Sequence, residues 1–500
     1  MTHPIRSIVI VGGGTAGWMA AAALARFTPF AVTLVESEAI GTVGVGEATI
    51  PQIRLFNAAL GIDEAEFLRE TKGSYKLGIE FAGWAGEGTA YMHGFGPTGQ
   101  GHGILPFHQH WLWAHLHGKA ESFGAYSLNA TAAYALKMQA DRPGRPGPMP
   151  YAFHFDAALY AAYLRRLAEA AGATRVEGII AQVHRADQGE RITSLTLKDG
   201  RSVAGDFFID CSGFRALLME ALAPGEFSDW SRWLPCNRAW AVPCATRGDF
   251  TPYTRSTARK AGWQWRIPLQ HRIGNGHVFC SDFISEDEAR AILLANLDAP
   301  AEAEPRLITF TTGTRARHWA GNCLALGLAA GFMEPLESTS IHLVQSSIAR
   351  FLQMLPAQTN DTALAAEFNR QAAFEWSRIR DFLILHYWAN GRHGEPFWDR
   401  CRQMELPDTL LHKLDTWRAT GFLQRDHEEL FTLEGWSQVL IGQGVLPAAC
   451  NPAVDALAPD QLAAMLDTVA QRNKQAAAAM PLHVAALREA VMPPEMRKTA

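Results

Sequence analysis

No stretch of about 20 apolar residues interrupts this 500-residue chain, so no membrane-spanning helix is expected. The opening run Ile8-Val9-Ile10-Val11 is too short for a secretory core, and glycines follow where such a core would continue. The seven cysteines are scattered and include no CxxC pair, which points to a reducing compartment and away from a zinc site. A soluble cytoplasmic protein is the expectation. Runs of like charge are also missing, and the formal net charge is -5 with a pI near 6.4. That argues against a charged tail and against a nucleic-acid binder. There is no internal repeat and no low-complexity linker; residues 141–148 are the one Pro/Gly-rich loop. The histidine-rich segment 108–117 lacks an HExxH pattern, and His108, His110, His115 and His117 contain no i,i+4 pair. It reads as a packed amphipathic helix, not a metal site.

What is present begins with a buried strand at residues 8–11, then Gly12-Gly13-Gly14-Thr15-Ala16-Gly17, then an Ala-rich helix from Trp18. Glycines in this position allow a tight turn, let backbone approach a pyrophosphate, and pack helix on strand; the helix N-terminus favours phosphate oxygens. A second strand, Val32-Thr33-Leu34-Val35, ends in Glu36, placed to accept from ribose hydroxyls. No phosphate-loop lysine follows, so a dinucleotide is expected, not ATP. The glycine-dense loop at 41–51, containing Val45, Gly46, Glu47 and Ala48, can run close to a further part of the same cofactor.

Asp63 caps a helix to residue 72, and residues 75–81 alternate as one strand with Lys76, Gly78 and Glu80 on a shared face. Lys76 is either a solvated charge or, if desolvated in a cleft, a donor or nucleophile. His93 and Phe95 share one side of an extended chain, suited to gripping a flat ring. A helix capped by Asp156 runs to Ala171. A strand at 178–185 follows, then strands 192–197 and 202–209 flank an Asp-Gly turn. The last strand runs into Asp210-Cys211-Ser212-Gly213. This order resembles FAD-dependent monooxygenase-type folds. Trp263 and Trp265 share a face, and residues 323–331 form a buried strand entering a Gly/Ala turn, where Leu328 stands in place of the usual acid. Residues 331–341 put Glu334 and Glu337 among apolar neighbours, which the chain would avoid unless they had partners or work to do.

Gly12-Gly13-Gly14-Thr15-Ala16-Gly17-Trp18, Trp263-Gln264-Trp265-Arg266-Ile267-Pro268 and Glu334-Pro335-Leu336-Glu337-Ser338-Thr339 together resemble the flavin-dependent tryptophan halogenase family, with a weaker match over 435–447. The resemblance implies FAD, supplied reduced by a separate NADH-dependent flavin reductase, and chloride or bromide oxidised to hypohalous acid. It implies FAD contacts at Gly12, Gly14, Thr15, Ala16, Gly17, Glu36, Val45, Gly46, Glu47, Ala48, Val183, Leu328 and Ile341. Halide would rest on backbone N–H groups at Thr339 and Ser340. Lys76 would carry the oxidant and Glu337 would orient it or stabilise the arenium cation. His93 and Phe95 would hold the aromatic substrate, and Trp263 and Trp265 would bar it from the flavin.

Two departures sharpen the expectation. Ser340 stands where family members usually have glycine, which leaves the backbone N–H but can alter halide preference. The segment 421–432 is short and poor in aromatics, and no clasp for an amino acid's ammonium and carboxylate is recognisable there. An open site for indole-like, electron-rich rings is therefore expected, in preference to free tryptophan. The expected architecture is α/β: a monooxygenase-like Rossmann-type core over 1–350, with substrate-contacting segments near 76–118, and a mostly helical substrate-side region over 351–500. The apolar run at 380–388 packs on that core or, alternatively, serves a homodimer. An aromatic monooxygenase and a non-catalytic flavin-binding protein on the same scaffold remain the alternative readings.

Overall fold

The computed structural model describes residues 4–40, 46–141, 147–186, 189–248, 250–359 and 361–492. The chain divides into two compact units, each built from three separated segments: 1–73, 155–231 and 310–376 in one, 74–154, 232–309 and 377–500 in the other.

The first unit is built on a six-stranded sheet. Its order is Trp319–Ala320, Cys323–Ala325, Phe207–Asp210, Ser7–Val11, Ala31–Glu36 and Thr174–Glu177, parallel except for the first pair. Ser7–Val11 is central and nearly all buried, as an apolar run flanked by parallel neighbours should be. The helix Thr15–Phe27 packs against Ala157–Ala170 and Ser340–Gln353. Asp156 caps the second of these, its carboxylate accepting from Ala158 and Leu159 N–H. Asp63 likewise caps Glu64–Glu70 by accepting from Glu66 N–H.

One expected strand of this unit is two. Residues 202–209 break at Gly205-Asp206: Ser202–Ala204 completes the antiparallel hairpin with Ile192–Leu197, whereas Phe207–Asp210 enters the parallel sheet. The Asp206 carboxylate accepts from Arg6 N, Ser7 N and Ser7 Oγ, which ties the break to the first strand.

The second unit holds a seven-stranded sheet ordered Arg306–Thr309, Arg238–Cys244, Ile273–Phe279, Gly262–Pro268, Thr254–Arg259, Gly78–Ala82, Ala90–Gly94. All its pairings are antiparallel except Thr254–Arg259 with Gly78–Ala82. Here too a strand expected as continuous, 75–81, is split. Ser74–Lys76 pairs with residues 152–154, Gly78–Ala82 joins the large sheet, and Leu77 between them bonds elsewhere. Leu77 N–H donates to Pro252 O, and its carbonyl accepts from Phe95 N and Asn129 Nδ2. Helices fill the rest of the unit, and Phe107, Trp111, Leu112, Tyr126, Leu462 and Leu466 form one of their apolar cores. Among the described residues no helix is long and apolar enough to cross a membrane.

Candidate active site

In the first unit the glycine turn is a cradle with an open side. Gly12 has φ +110°, and a Cβ there would lie 2.2 Å from Cys211 O; one on Gly17 would lie 1.9 Å from Gly12 O. Both glycines are required by close backbone approach. Gly14, the N-cap of Thr15–Phe27, differs: it has no side chain to cap the helix, and an added Cβ would meet no atom of the described residues within 4 Å. The open space thus lies where the first N–H groups of the helix lack intrahelical partners, which suits a pyrophosphate. Thr15 Oγ1 donates to Ala157 O at 3.3 Å. A Cβ on Gly327 would come within 2.9 Å of the Ala16 methyl, so the turn containing Leu328 sits directly against the cradle. These residues fit a dinucleotide.

Glu36 ends its strand as expected, with its carboxylate over Gly13, and accepts from Arg175 Nε at 2.6 Å. Arg175 had no signal in the sequence. Val45 lies outside the described residues. Gly46 and Ala48 are buried in the strand Gly46–Ala48, and burial raises the Glu47 carboxyl to about 7. Val183 is half-buried in Ile180–Arg185, and Ile341 is buried in Ser340–Gln353. Asp210, at the strand end expected to face the nucleotide, is occupied internally. Its oxygens accept from Ser212 N and Oγ, Leu218 N and Met219 N, so it braces the turn.

The Glu334–Ser340 segment is the most unusual stretch of the unit. Glu334, Glu337, Ser338 and Thr339 are each no more than 2% exposed. Pro335–Glu337 is one 3-10 turn, and Ser338 follows with φ 59° and ψ 36°, the left-handed region that a non-glycine residue rarely occupies. Thr339 is then the N-cap of Ser340–Gln353. This αR-to-αL step folds successive backbone N–H groups into a concavity, and the helix N-terminus adds to its positive character. Glu375 holds the helix in place. It accepts from Ser346 Oγ at 2.9 Å and Arg350 Nη2 at 2.8 Å and pairs with His342 Nε2 at 3.0 Å. Burial alone would raise its pKa, but His342 and Arg350 hold it down at about 2.

In the second unit Lys76 is fully buried, 0% exposed, with Nζ 5.3 Å from the Phe95 ring centroid. A surface lysine is thereby excluded. Beside it, His154 bonds Ser74 Oγ through Nδ1 and Thr254 Oγ1 through Nε2. Burial first, then the Lys76 charge, push the His154 pKa well below its ordinary value, so this imidazole stays neutral. His93 is 6% exposed and lies 5.6 Å from the Phe382 ring and 6.2 Å from the Phe431 ring. Phe382 stacks on Phe431 at 3.8 Å and meets Trp436 edge-on at 4.8 Å. Phe382 and Phe431, and Trp436 behind Phe382, come from distant segments, and sequence reasoning missed them.

Trp263 and Trp265 share the buried face of Gly262–Pro268, ring centroids 6.1 Å apart, and Trp265 covers Gly276 so closely that a Cβ there would fall 2.0 Å from the ring. The sole acid buried near the aromatic cluster, among the described residues of 421–436, is Glu429. It pairs with Lys413 Nζ at 2.7 Å, and Lys413 in turn lies 5.3 Å from the Trp436 ring. In the helix Phe107–Leu116 His108 and His110 are buried, His108 Nε2 bonding Gly421 O at 2.8 Å, while the exposed C-cap His117 stacks on Trp113 at 4.0 Å. Among the described residues no group of three or more His, Cys, Asp or Glu could hold a metal ion.

Comparison with known proteins supplies the family. A family model described as tryptophan halogenase matches residues 7–459. The fold superposes on Xcc4156, a flavin-dependent halogenase from Xanthomonas campestris, with a TM-score of 0.95 and 44% identity, covering 98% of this chain and 99% of that one. It superposes on BrvH, a flavin-dependent halogenase from Brevundimonas sp. BAL3, with a TM-score of 0.93 and 44% identity, covering 97% and 99%. Tryptophan 6-halogenase ThaL from Streptomyces albogriseolus is 34% identical over 494 residues, 91% of this chain and 92% of that protein.

Proposed function

This chain belongs to the tryptophan halogenase family and is a flavin-dependent halogenase of aromatic substrates; from that premise we propose that it halogenates free indole-like rings, with Lys76 and Glu337 carrying the chemistry. The observation that carries the reading is the fully buried Lys76 beside Phe95, in the unit that also holds the His93 aromatic cluster. A lysine is not desolvated without use or partners, and the chemistry of this family needs an amine that can bind an electrophilic oxidant.

Bound reduced FAD, delivered by a separate reductase, would supply the oxidation of chloride or bromide by oxygen to hypohalous acid. Gly12, Gly14 and Gly17 would admit its pyrophosphate, with Thr15, Ala16, Gly46, Ala48, Val183, Leu328 and Ile341 lining it and Glu36 taking the ribose. Thr339 and Ser340 would hold the halide through backbone N–H groups. The Lys76 ammonium donates a hydrogen bond to the oxidant oxygen, or the free amine takes the halogen as a haloamine. Glu337 polarises the oxidant or stabilises the positive charge that develops on the ring. His93 and Phe95 hold the ring flat, so one C–H is presented to the halogen. The carbon gains the halogen, its proton leaves, and the hypohalous oxygen departs as water. Trp263 and Trp265 keep the substrate from the flavin. Because Glu429 is already paired with Lys413, it is not available to an amino-acid ammonium, which favours indole over tryptophan.

The test is mass spectrometry of indole, and separately of tryptophan, incubated with the protein, FAD, a flavin reductase, NADH, oxygen and bromide. Wild type should give the bromine isotope doublet on indole, and Lys76→Ala should give none. Equal product from both proteins would mean that leaked hypobromite does the work and would remove Lys76 from the mechanism. Hydroxylated indole without bromine would replace halogenation by monooxygenation.

A further inference from the structure

The large sheet of the second unit has two unlike faces. Along Thr254–Arg259 the burial alternates, placing Arg255, Thr257 and Arg259 on the half-exposed side. Register carries that side onto the neighbouring strand, where Arg255 pairs with Glu80 and Thr257 with Ala82. These residues floor a groove of about 700 Å³. Its walls are the 83–90 loop with Glu87, Lys260, Ile292 of Glu286–Ala295, and Arg392. That volume falls within the range of small-molecule sites. The tryptophans and His93 belong to the opposite face, by the same register.

Charges in the groove are unevenly matched. Arg255 pairs with Glu80, Lys260 with Glu288 at 2.7 Å, and Arg392 with Glu395 at 2.8 Å. Arg259 has no carboxylate among the described residues; its Nε donates to the neutral amide of Gln264 at 3.1 Å. Burial, then the nearby Arg392 charge, lower its pKa from the ordinary arginine value, so two guanidinium groups repel one another across the groove wall. A second, independent mark is the Arg392 Nε–H, buried and without a hydrogen-bond partner among the described residues. A buried donor left unmet is costly, more so when charged, and like charges held together add to that cost. One occupant relieves both: an oxyanion, whose oxygens match the guanidinium fork.

We propose that this groove is a binding site for the phosphate or carboxylate group of a small anionic molecule, clamped by Arg259 and Arg392 and assisted by Lys260. Glu87, exposed on the loop, is the carboxylate that opposes it. The site requires no flavin and no aromatic substrate.

Isothermal titration calorimetry tests it on protein kept saturated with FAD, so that the glycine cradle does not take up the probe. Inorganic pyrophosphate and citrate are titrated separately; the arm that gives single-site binding identifies the group as phosphate or carboxylate. Arg259→Gln should weaken that binding about tenfold or more, the loss of one charge-assisted contact. Glu87→Gln, an exposed change that leaves the fold intact, should tighten it. Added salt should weaken wild type more than Arg259→Gln. Absence of heat in both arms, or affinities unchanged in both variants, would overturn the proposal. Flavin binding is followed by fluorescence on the same samples, so a failure of the flavin reading would appear there and leave the calorimetric comparison standing.

Discussion

Gly12 and Gly14 stand two residues apart and are held to glycine by different forces. Gly12 needs a positive φ and closely abuts Cys211 O. Gly12→Ala should therefore cost about 3 kcal/mol of stability, from backbone strain and overpacking together. Gly14 has ordinary φ and ψ for extended backbone and open space at its Cα. Gly14→Ala should leave stability within about 0.5 kcal/mol of wild type yet weaken FAD binding, because the methyl enters the space proposed for the pyrophosphate. Thermal unfolding and a flavin fluorescence titration on the two variants separate the effects. If Gly14→Ala binds FAD as wild type does, the pyrophosphate is not at that turn. Lys76 poses the same question of structure against function, and its complete burial answers what the sequence left open between a surface charge and a desolvated amine.

At the scale of elements, what the sequence made legible was local chemistry. Asp63 and Asp156 announce helix starts because a carboxylate satisfies N–H groups only two or three residues away. The glycine turn was legible for the same reason. The breaks at Leu77 and Gly205-Asp206 were not, since their causes lie far along the chain: Pro252 and Asn129 for one, Arg6 and Ser7 for the other. The candidate site divides similarly. Lys76, His93, Phe95 and Glu337 could be named from motifs, whereas Phe382 and Phe431 reach His93, and Trp436 reaches Phe382, only through tertiary packing. Ser340–Gln353 offers a test of an element acting on a site. Glu375→Gln keeps the shape of its anchor but removes the charge that His342, Ser346 and Arg350 share. The expected loss is about 3 kcal/mol in chemical denaturation. A helix N-terminus no longer fixed should also raise the bromide KM while leaving that of indole unchanged. A fall in stability with both constants unmoved would make Glu375 a structural anchor alone.

For the whole molecule, the two units take alternate stretches of sequence, so no linear scan of composition finds their boundaries. They share one vulnerability. His277 and His483 in one unit and His318 in the other are buried, and burial lowers each to about 4. His154, beside Lys76, is displaced in the same direction. A histidine whose folded pKa lies below its unfolded value binds fewer protons when folded, so stability rises with pH between the two values. Each of the three contributes on the order of 3 kcal/mol by the bottom of that window. Glu47, raised to about 7, acts with the opposite sign between 4.5 and 7, but it is half-buried and single. Glu375, held at about 2, adds loss only below its unfolded value of 4.5. Against a total stability of roughly 5–15 kcal/mol, three histidines outweigh one glutamate. The unfolding free energy should therefore fall steeply as pH drops from 6.5 towards 4. Urea denaturation at stepped pH reads this directly, and His318→Gln, which removes one titrating ring beside Thr314 Oγ1, should flatten the slope by about a quarter, its share of the four displaced histidines. A slope unchanged by that variant would mean that His318 is not held neutral, and that the acid sensitivity has another source.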